Sequence, residues 1–431
     1  MSDFDAIVVG AGCAGSVAAY ELAKAGKSVL VIERGNFAGA KNMTGGRIYS
    51  HALKAVFPDF EEEAPLERKI THERISMMAP DANLTIDFSS DEMYVEGQDS
   101  YAVLRSTFDQ WLASKAEDEG AEFICGIPVE SLVKDDSGKV IGVQAGEDEI
   151  TADVVLLCDG VNSLLAEQAV GAKRPSGKSV AVGVKEVIEL PASTITDRVL
   201  AGNDDEGAAW LFAGDATKGC FGGGFMYTNK ESISLGIVAG IEALAEHGTT
   251  PVYQMLEDLK KSPAVAPLIK GGKVVEHSGH MVPEGGFEAM PELTADGVLL
   301  AGDNAMMCLN LGYQVRGMDY AVAAGMHAGR EAAKAIDAGD TSKAGLAGYV
   351  KALEDSFVMK DLKTYVKAPA FMEGFDRMFK GYPEMARDLM NTMFIVNGEP
   401  AKHLKKNAMP IVKKVGLMNL AKDGMKAVKA L

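Results

Sequence analysis

The chain is poor in cysteine, and the few cysteines that it has exclude several classes of site. Its 431 residues include only Cys13, Cys125, Cys158, Cys220 and Cys308, and no two of them form a CxxC pair. Zinc sites and cysteine-ligated iron–sulfur clusters need closely spaced thiolates, so the sequence predicts no metal site. An odd, scattered set of cysteines also argues against a disulfide framework and is typical of a reducing compartment, so we expect a cytoplasmic protein.

Long apolar runs and positive charge are also scarce. No uncharged apolar stretch reaches the roughly 18 residues that a membrane span needs, so no span is predicted. Asp3 and Asp5 precede the first apolar run, which is not typical of a signal peptide. The 43 basic and 61 acidic residues give a formal net charge of −18, which argues against a nucleic-acid partner.

One segment departs from this acidic balance. Residues 401–431 contain eight lysines and one acidic residue, Asp423. Such an asymmetry is typical of a docking tail, for a protein partner or for lipid headgroups. An ordinary helical region with a solvated basic face remains an equal alternative, and peripheral contact with the inner face of the cell membrane stays open.

A glycine-rich turn near the N-terminus is the first motif that carries chemistry. Residues 6–9 are apolar, and the GxGxxG turn that follows leads into a segment with helical spacing. Gly10 permits the tight turn, Gly12 lets the backbone approach a pyrophosphate, and Gly15 allows the helix to pack closely on the strand. The N–H groups of Cys13 and Ala14 open that helix, where they favour bound phosphate.

An acidic residue ends the second strand of this βαβ unit. Glu33 lies 18 residues after Gly15, where a carboxylate accepts hydrogen bonds from ribose hydroxyls. It would repel a 2′-phosphate, which disfavours NADP. Arg34 follows directly and is also predicted to bind the cofactor. This unit alone does not decide between FAD and NAD.

Two later strand ends resemble flavin-binding elements. The strand 297–301 leads into Gly302 and Asp303, which resemble the third fingerprint of the glutathione-reductase-like flavoproteins. In those families the acid bonds a ribityl hydroxyl of FAD, and Asp303 takes that role here. Asp159 and Gly160, after another buried strand, resemble the internal DG element of the aromatic-hydroxylase branch.

An arginine is also predicted to bind the cofactor. Arg105 resembles the cofactor-side arginine of the same branch, since a buried guanidinium needs an anion; a surface salt bridge is the alternative. Ser106 and Asp109, three residues apart, predict a capping box that opens a helix after it. The GxGxxG turn, the Asp159-Gly160 element with Arg105 and the Gly302-Asp303 element follow one another in the order of that branch, so the resemblance implies FAD. The sequence has no second GxGxxG turn after a strand, so no separate NAD(P)H domain is predicted.

Two further segments are predicted to pass the isoalloxazine ring. The loop 309–319 ends at Gly317 and Met318, whose N–H groups would face the pyrimidine edge from the start of a long helix. Arg316 lies in this loop and either passes the ring with it or is a solvent-exposed charge. The segment 41–47, with two adjacent glycines and Arg47, is predicted on the other side of the ring, or else is a plain flexible loop.

The resemblance to one family extends over nearly the full chain. The similar segments are 222–229, 255–259, 263–269, 280–284, 310–319 and 422–426. They resemble the electron-transfer-flavoprotein:quinone oxidoreductases of the FixC type. This resemblance implies an FAD protein of a Fix/Etf complex, which takes electrons from an electron transfer flavoprotein and reduces a membrane quinone. It also implies a small ferredoxin-like iron–sulfur subunit, because no cysteine follows Cys308 to hold a cluster in this chain.

A quinone would need an apolar path to the flavin. We expect that path between the middle domain and the loop that contains Met307 and Leu309, with Tyr227 and His280 as polar groups. A lone histidine is more often a satisfied structural side chain, and that alternative stays open for His280.

These inferences together predict an α/β protein with three parts. An FAD-binding Rossmann-like domain of the glutathione-reductase and p-hydroxybenzoate-hydroxylase type comprises 1–75, 101–175 and 290–340. A mostly antiparallel second domain for the quinone comprises 76–100 and 176–289. A helical docking region comprises 345–431, with helices broken at Pro369, Pro383, Pro400 and Pro410.

Three other functions share these sequence features. A geranylgeranyl-reductase-like enzyme would saturate prenyl double bonds on the same fold. A flavin monooxygenase needs no separate NAD(P)H domain. A non-catalytic subunit would relay electrons through its FAD only inside a larger complex.

Overall fold

Two large β-sheets organise the computed structural model, which describes residues 2–42 and 46–431. Within the described residues the first sheet has the order β16-β17-β10-β1-β2-β7, and β9 joins β10 to β8. Its strands are β1 (Phe4–Val9), β2 (Val29–Glu33), β7 (Glu122–Cys125), β8 (Val129–Lys134), β9 (Val140–Ala145), β10 (Asp148–Leu157), β16 (Thr294–Ala295) and β17 (Val298–Leu300).

The centre of this sheet is parallel, and its strands are near-continuous apolar runs. β1 pairs in parallel with both β2 and β10, and β10 pairs in parallel with β17. Parallel strands that are covered on both faces are apolar at nearly every position, so these strands could be predicted from their apolar runs. The carboxyl ends of β1, β10 and β17 therefore meet at one edge, where the three predicted motifs begin.

The second sheet has nine strands in the described part of the chain, in the order β15-β11-β14-β13-β12-β4-β6-β3, with β5 paired to β4. They are β3 (Arg47–Tyr49), β4 (Leu66–Ala79), β5 (Ala82–Phe88), β6 (Ser100–Val103), β11 (Val180–Glu189), β12 (Glu206–Gly214), β13 (Gly222–Thr228), β14 (Ser232–Gly240) and β15 (Lys273–Pro283). Two further strands, β18 (Leu309–Asn310) and β19 (Val315–Arg316), form a short hairpin.

Sheet membership crosses the predicted domain boundaries. The prediction places β3, most of β4 and β6 with the FAD-binding domain, and these strands hydrogen-bond in the second sheet. The long strand β4 lies parallel to β12, which follows it by more than a hundred residues. A pairing at that separation leaves no mark in the local pattern.

The helices cover the sheets and form the C-terminal region. They are α1 (Cys13–Lys24), α2 (Ser50–Lys54), α3 (Phe60–Glu63), α4 (Arg105–Asp118), α5 (Leu165–Val170), α6 (Ala192–Val199), α7 (Ile241–His247), α8 (Val252–Lys261), α9 (Ala266–Ile269), α10 (Met318–Asp337), α11 (Ala347–Asp355), α12 (Phe357–Thr364), α13 (Ala368–Glu373), α14 (Asp376–Phe379), α15 (Gly381–Phe394), α16 (Leu404–Val415) and α17 (Leu417–Ala430). Short 3₁₀ helices are Asp91–Tyr94, Gly177–Ser179, Asp215–Thr217, Phe287–Ala289 and Asp303–Ala305.

Helices α1 and α10 touch each other backbone to backbone. A Cβ atom added at Gly325 would lie 2.2 Å from the carbonyl oxygen of Ala14, and one added at Gly329 would lie 2.5 Å from that of Ala18. Only glycine permits this approach, since any side chain would collide with the facing helix. The helix that opens at the glycine turn and the helix that opens after the 309–319 loop are thus packed as one unit.

Two local predictions about helix ends are wrong. Pro410 lies inside α16 rather than at a break, in a helix that contacts α15 and α17. Helix α4 begins at Arg105 with Leu104 as its N-cap, so Ser106 and Asp109 form no capping box. Asp109 is instead fully buried and binds other partners. Among the described residues, no helix is both long and apolar enough to cross a bilayer.

Candidate functional site

The glycine turn between β1 and α1 has the geometry of a phosphate-binding turn. Gly10 has a φ of +98°, and a Cβ atom there would lie 2.5 Å from the carbonyl oxygen of Cys158. A Cβ atom at Gly15 would lie 1.8 Å from the Gly10 carbonyl oxygen, so the helix packs directly on the turn. The 12-residue helix α1 starts at Cys13 with Gly12 as N-cap and no side-chain cap. Its first N–H groups are therefore available to an anion.

The acid at the end of β2 lies beside this turn. The Glu33 carboxylate accepts hydrogen bonds from the backbone N–H of Ala11 at 2.9 Å and of Gly35 at 2.6 Å. Glu33 is buried, whereas Arg34 is exposed. The charge of Arg34 still reaches the site: burial raises the pKa of Asp159 and Arg34 is among the groups that oppose this shift, whereas burial, Arg105 and Arg34 all lower the pKa of His280. Both residues remain predicted cofactor-binding groups.

A buried ion pair places a guanidinium at the start of α1. Arg105 donates from Nε to Asp109 Oδ1 at 2.7 Å and from Nη2 to Oδ2 at 2.8 Å, and Asn42 Nδ2 donates to the same Oδ2 at 2.7 Å. Burial alone would lower the pKa of Arg105, but the facing Asp109 carboxylate raises it above its usual value. A Cβ atom at Gly12 would lie 3.7 Å from Arg105 Nη2, so the guanidinium flanks the turn.

Cys13 belongs to this cluster but is not a nucleophile. Its Sγ contacts Asp109 Oδ1 at 3.8 Å, and burial raises the pKa of the Cys13 thiol to about 12. A thiol that stays protonated at neutral pH contributes packing at the helix start rather than covalent chemistry.

The ends of β10 and β17 are joined by an asparagine that the sequence did not single out. Asn304 Nδ2 donates to the Leu157 carbonyl oxygen at 2.7 Å and to Asp159 Oδ1 at 3.0 Å. Burial raises the pKa of Asp159, and hydrogen bonds from Ser163 and Asn304 oppose that shift. The signal for Asn304 was its position directly after Gly302-Asp303. Gly160, in the left-handed region at φ +78°, turns the chain away after Asp159.

Asp303 supplies the test of whether FAD fits these residues. Burial raises the pKa of Asp303 to about 6 despite the nearby charge of Arg105, and no hydrogen bond to its carboxyl group is present among residues 2–42 and 46–431. Asp303 is half-buried; a carboxylate so placed without a donor is unfavourable, and a ribityl hydroxyl would satisfy it. Gly302 brings this group to the glycine turn, because a Cβ atom there would lie 3.2 Å from Ala14 Cβ. The three motifs therefore meet at one place and fit a single dinucleotide.

The loop before α10 is a hairpin fixed by ion pairs. Gly317 is the N-cap of the 20-residue helix α10, and Met318 is buried in its first turn. Arg316 is not solvent-exposed: Nε donates to Asp319 Oδ2 at 2.8 Å and Nη1 to Asp361 Oδ2 at 2.7 Å. The side chain of Arg316 thus fastens the hairpin to α10 and α12 and leaves the open helix start at Gly317.

The predicted substrate residues separate into two groups. Met307 and Leu309 are buried in the main core with residues of α1 and α10. Tyr227 lies on β13 in the second sheet, against Gly46, where a Cβ atom would lie 2.6 Å from the tyrosine Cδ2. His280, on β15, is half-buried, and burial together with the charges of Arg105 and Arg34 lowers its pKa.

Arg47 also lies on the second sheet. On β3, its Nε donates to Ser100 Oγ at 3.0 Å, and its Nη2 forms an ion pair with Glu73. A narrow pocket connects this pair with the hairpin, lined by Arg47, Tyr49, Glu73, Tyr227, Tyr313 and Val315. The rest of the predicted 41–47 loop is described only in part, because residues 43–45 lie outside the described residues.

Replacing the Asp303 carboxyl group is expected to stabilise the flavin-free protein while weakening FAD binding. The folded pKa of about 6 exceeds the usual 3.8, so the folded state favours the proton and loses stability as pH rises between these values. Asp303→Asn should therefore gain about 1–2 kcal/mol of unfolding free energy at pH 7 and none at pH 4. Urea unfolding of the flavin-free proteins at both pH values measures this, with Glu122→Gln on exposed β7 as control. An equal gain at both pH values would contradict it.

Comparison with known proteins identifies the family. Residues 5–107 match the model of the FAD-dependent oxidoreductases, and residues 368–431 match that of the ETF-QO/FixC C-terminal domain. The chain is 52% identical over 429 residues to protein FixC of Escherichia coli K12, with 99% of each chain covered. It is 50% identical over 433 residues to the probable electron transfer flavoprotein-quinone oxidoreductase YdiS of the same organism, with 100% of each covered.

Solved structures agree at the level of the fold. A geranylgeranyl bacteriochlorophyll reductase-like protein from Thermoplasma acidophilum has a TM-score of 0.72 and 19% identity, covering 98% of this chain and 99% of its own. A flavoprotein/dehydrogenase from Cytophaga hutchinsonii has a TM-score of 0.62 and 16% identity, covering 99% of both chains. The predicted FAD-binding Rossmann-like fold is confirmed. The chain belongs to the ETF-QO/FixC family and is an FAD-dependent oxidoreductase of electron transfer.

Proposed function

We propose that this chain accepts electrons from a reduced electron transfer flavoprotein and passes them to a membrane quinone, as a subunit of a Fix/Etf complex. The observation that carries the proposal is the 50% identity, over the whole length of both chains, with a relative described as a probable electron transfer flavoprotein-quinone oxidoreductase. A match of that extent includes both sheets and the C-terminal helices, and not the nucleotide-binding motifs alone.

The chain's own residues account for how the cofactor would be held. The α1 N-terminus and Arg105 would meet the pyrophosphate, Glu33 a ribose, and Asp303 the ribityl chain. The start of α10 at Gly317 and Met318 would meet the pyrimidine edge, where a helix N-terminus favours an anionic reduced flavin. When bound, FAD supplies the electron transfer itself.

The quinone would approach the flavin across the second sheet. The pocket of Arg47, Glu73 and Tyr227 opens beside the hairpin that leads to α10, and His280 lies further along the same sheet. Met307 and Leu309 would back the flavin from the core side, since both are buried there.

The C-terminal helices supply a surface that supports a docking role. Exposed apolar side chains include Phe394, Ile395, Val396, Met418 and Val428, and Val396 is 92% exposed. The eight lysines of residues 401–431 accompany them, and each lysine near an anionic bilayer contributes about 1 kcal/mol. We infer peripheral contact with the cytoplasmic face of the membrane, and a small ferredoxin-like iron–sulfur subunit as a second partner of this region.

Rapid mixing tests the donor. Reduced electron transfer flavoprotein from the same host should bleach the flavin absorbance of this protein within seconds, whereas NADH should reduce it at least 100-fold more slowly, because no separate nicotinamide-binding domain is predicted. Re-oxidation by a soluble ubiquinone analogue then tests the acceptor. Fast reduction by NADH, or turnover of a prenyl double bond or an aromatic substrate in place of a quinone, would contradict the proposal.

A further inference from the structure

A buried lysine lies on the face of the second sheet that is turned toward the cofactor-binding residues. Lys185, in the middle of β11, is 2% exposed. The neighbouring residues Val184 and Ile188 point to the other face, where they pack into the core beneath α8. Successive residues of a strand alternate between faces, so Lys185 points away from that core.

Strand pairing shows which residues share the face with Lys185. Its direct partners are Ser278 on β15 and Gly236 on β14, and two residues along, Gly183 pairs with His280. Directly paired residues point to the same side of a sheet, so the side chains of His280 and Lys185 share one face. Tyr227 lies on the same face, because it pairs with Ser234, which pairs with Val187, and it packs against Gly46. This face is therefore turned toward the segment that is predicted to pass the flavin ring.

Among residues 2–42 and 46–431, the side chain of Lys185 has one ion-pair partner on this face. The nearest carboxylate oxygen is Glu276 Oε1, 3.5 Å from Nζ, and the Glu276 side chain is 34% exposed. An ammonium group has three donors, and one contact at this distance leaves its burial poorly compensated. Burial accordingly lowers the pKa of Lys185, while the Glu276 carboxylate opposes the shift. The pair thus connects the solvent, at Glu276, with the interior, at Lys185.

We propose that Lys185 donates a proton to the quinone during its reduction, and that Glu276 returns the proton from solvent. The proposal rests on the proposed quinone reductase function. Reduction of a quinone to a quinol takes two electrons and two protons. The Lys185 ammonium supplies one proton, and the bound cofactor in its singly protonated reduced form would supply the two electrons and the other proton. One carbonyl oxygen of the quinone takes the proton of Lys185 and the other takes that of the flavin, which gives a quinol, oxidised FAD and a neutral amine. Glu276 then takes a proton from solvent and passes it to the amine, which restores the ammonium group and the carboxylate.

The other charged groups near Lys185 set the direction of its pH dependence. Glu276 favours the ammonium, while Arg105 disfavours it, and His280 shares the face. A second cluster, Glu186 with Lys260 and His277, lies on the opposite side of the same strands and takes no part. A donor must be protonated, so quinone reduction should decline as pH rises through a lysine pKa that lies below the usual 10.5.

The test separates the two half-reactions of the FAD-loaded protein. Lys185→Met keeps the length of the side chain, so FAD content and reduction by reduced electron transfer flavoprotein should stay within twofold of wild type. Flavin re-oxidation by a soluble ubiquinone analogue should slow about 100-fold and lose its alkaline decline. Glu276→Gln should slow the same step less, and Lys273→Met, at an exposed position of β15, should leave it unchanged.

Lys185→Arg separates proton donation from charge. Arginine keeps the positive charge but does not release its proton, so it should be as slow as the methionine variant. A Lys185→Arg variant at the wild-type rate, or a Lys185→Met variant with an unchanged pH profile, would overturn the proposal. A wild-type protein that is reduced by the flavoprotein but is not re-oxidised by any quinone would overturn the proposed function itself, and this proposal with it.

Discussion

A Gly12→Glu variant of this protein is expected to purify folded but colourless. The new carboxylate would stand at the first residue before α1, where the unoccupied N–H groups favour the cofactor's pyrophosphate. It would occupy that space and add a repelling negative charge beside it. FAD affinity should fall more than 100-fold, which corresponds to more than about 2.7 kcal/mol. The ratio of flavin to protein absorbance after purification measures the loss, and isothermal titration of the flavin-free protein measures the affinity.

Two controls separate cofactor loss from misfolding. In Gly12→Ala, the added Cβ atom would lie 3.2 Å from Asn42 Nδ2, a contact that a small side-chain shift relieves, so the chain should fold while FAD binds more weakly. Gly424→Glu adds the same charge to α17, where a Cβ atom meets nothing within 4 Å, and should bind FAD normally. Full flavin content in Gly12→Glu would refute the assignment of the pyrophosphate to this turn.

Arg68→Met is expected to destabilise the protein by about 3–5 kcal/mol, because five hydrogen bonds from a charged donor are lost. Arg68 on β4 is 0% exposed, and its five hydrogen bonds tie β4 to the neighbouring elements. Their acceptors, 2.8–3.0 Å away, are the carbonyl oxygens of Ala192, Glu206, Asn229 and Lys230 and the hydroxyl group of Thr196. Removing the guanidinium takes this donor away from all five acceptors, of which the carbonyl oxygen of Asn229 belongs to a fully buried residue, whereas that of Ala192 keeps the hydroxyl group of Thr196 as a donor.

Urea unfolding of FAD-loaded Arg68→Met, Arg68→Lys and wild type measures the effect. The lysine variant should lose nearly as much as the methionine variant, because three donors on a flexible stem do not replace a planar fork of five. Arg387→Met is the control: its partner Asp81 is exposed, so a loss below about 1 kcal/mol is expected. A loss that small in Arg68→Met would show that water or other groups replace the guanidinium.

The parts of the fold that local pattern determines could be predicted from the sequence. The turn at Gly10, the buried strand before Asp159 and the long helix after Gly317 each combine an apolar period with a glycine at the required place. The family resemblance then supplied FAD. Corresponding local cues failed for Asp109, whose short spacing from Ser106 suggested a cap, because burial with Arg105 and Asn42 outweighs the helix-end signal.

The rest depends on contacts between distant segments. Nothing near β4 in the chain indicates a parallel partner at β12, so the share of the second sheet was underestimated. Lys185 did leave a signal, as one of two adjacent charges, with Glu186, inside the otherwise apolar run 180–188, but its partner Glu276 lies on another strand. The position of His280 on the same face as Lys185 likewise depends on the pairing of β15 with β11, which no local pattern encodes.

The glycine contacts between α1 and α10 have a consequence for cofactor choice. Because the two helices touch backbone to backbone at Gly325 and Gly329, their N-termini cannot slide apart or together independently. The N-terminus of α1 is predicted to meet the pyrophosphate and that of α10 the isoalloxazine ring, so the distance between these two binding sites is fixed before any flavin binds. A mononucleotide such as FMN lacks the adenylate half and would leave the adenylate side of the site empty.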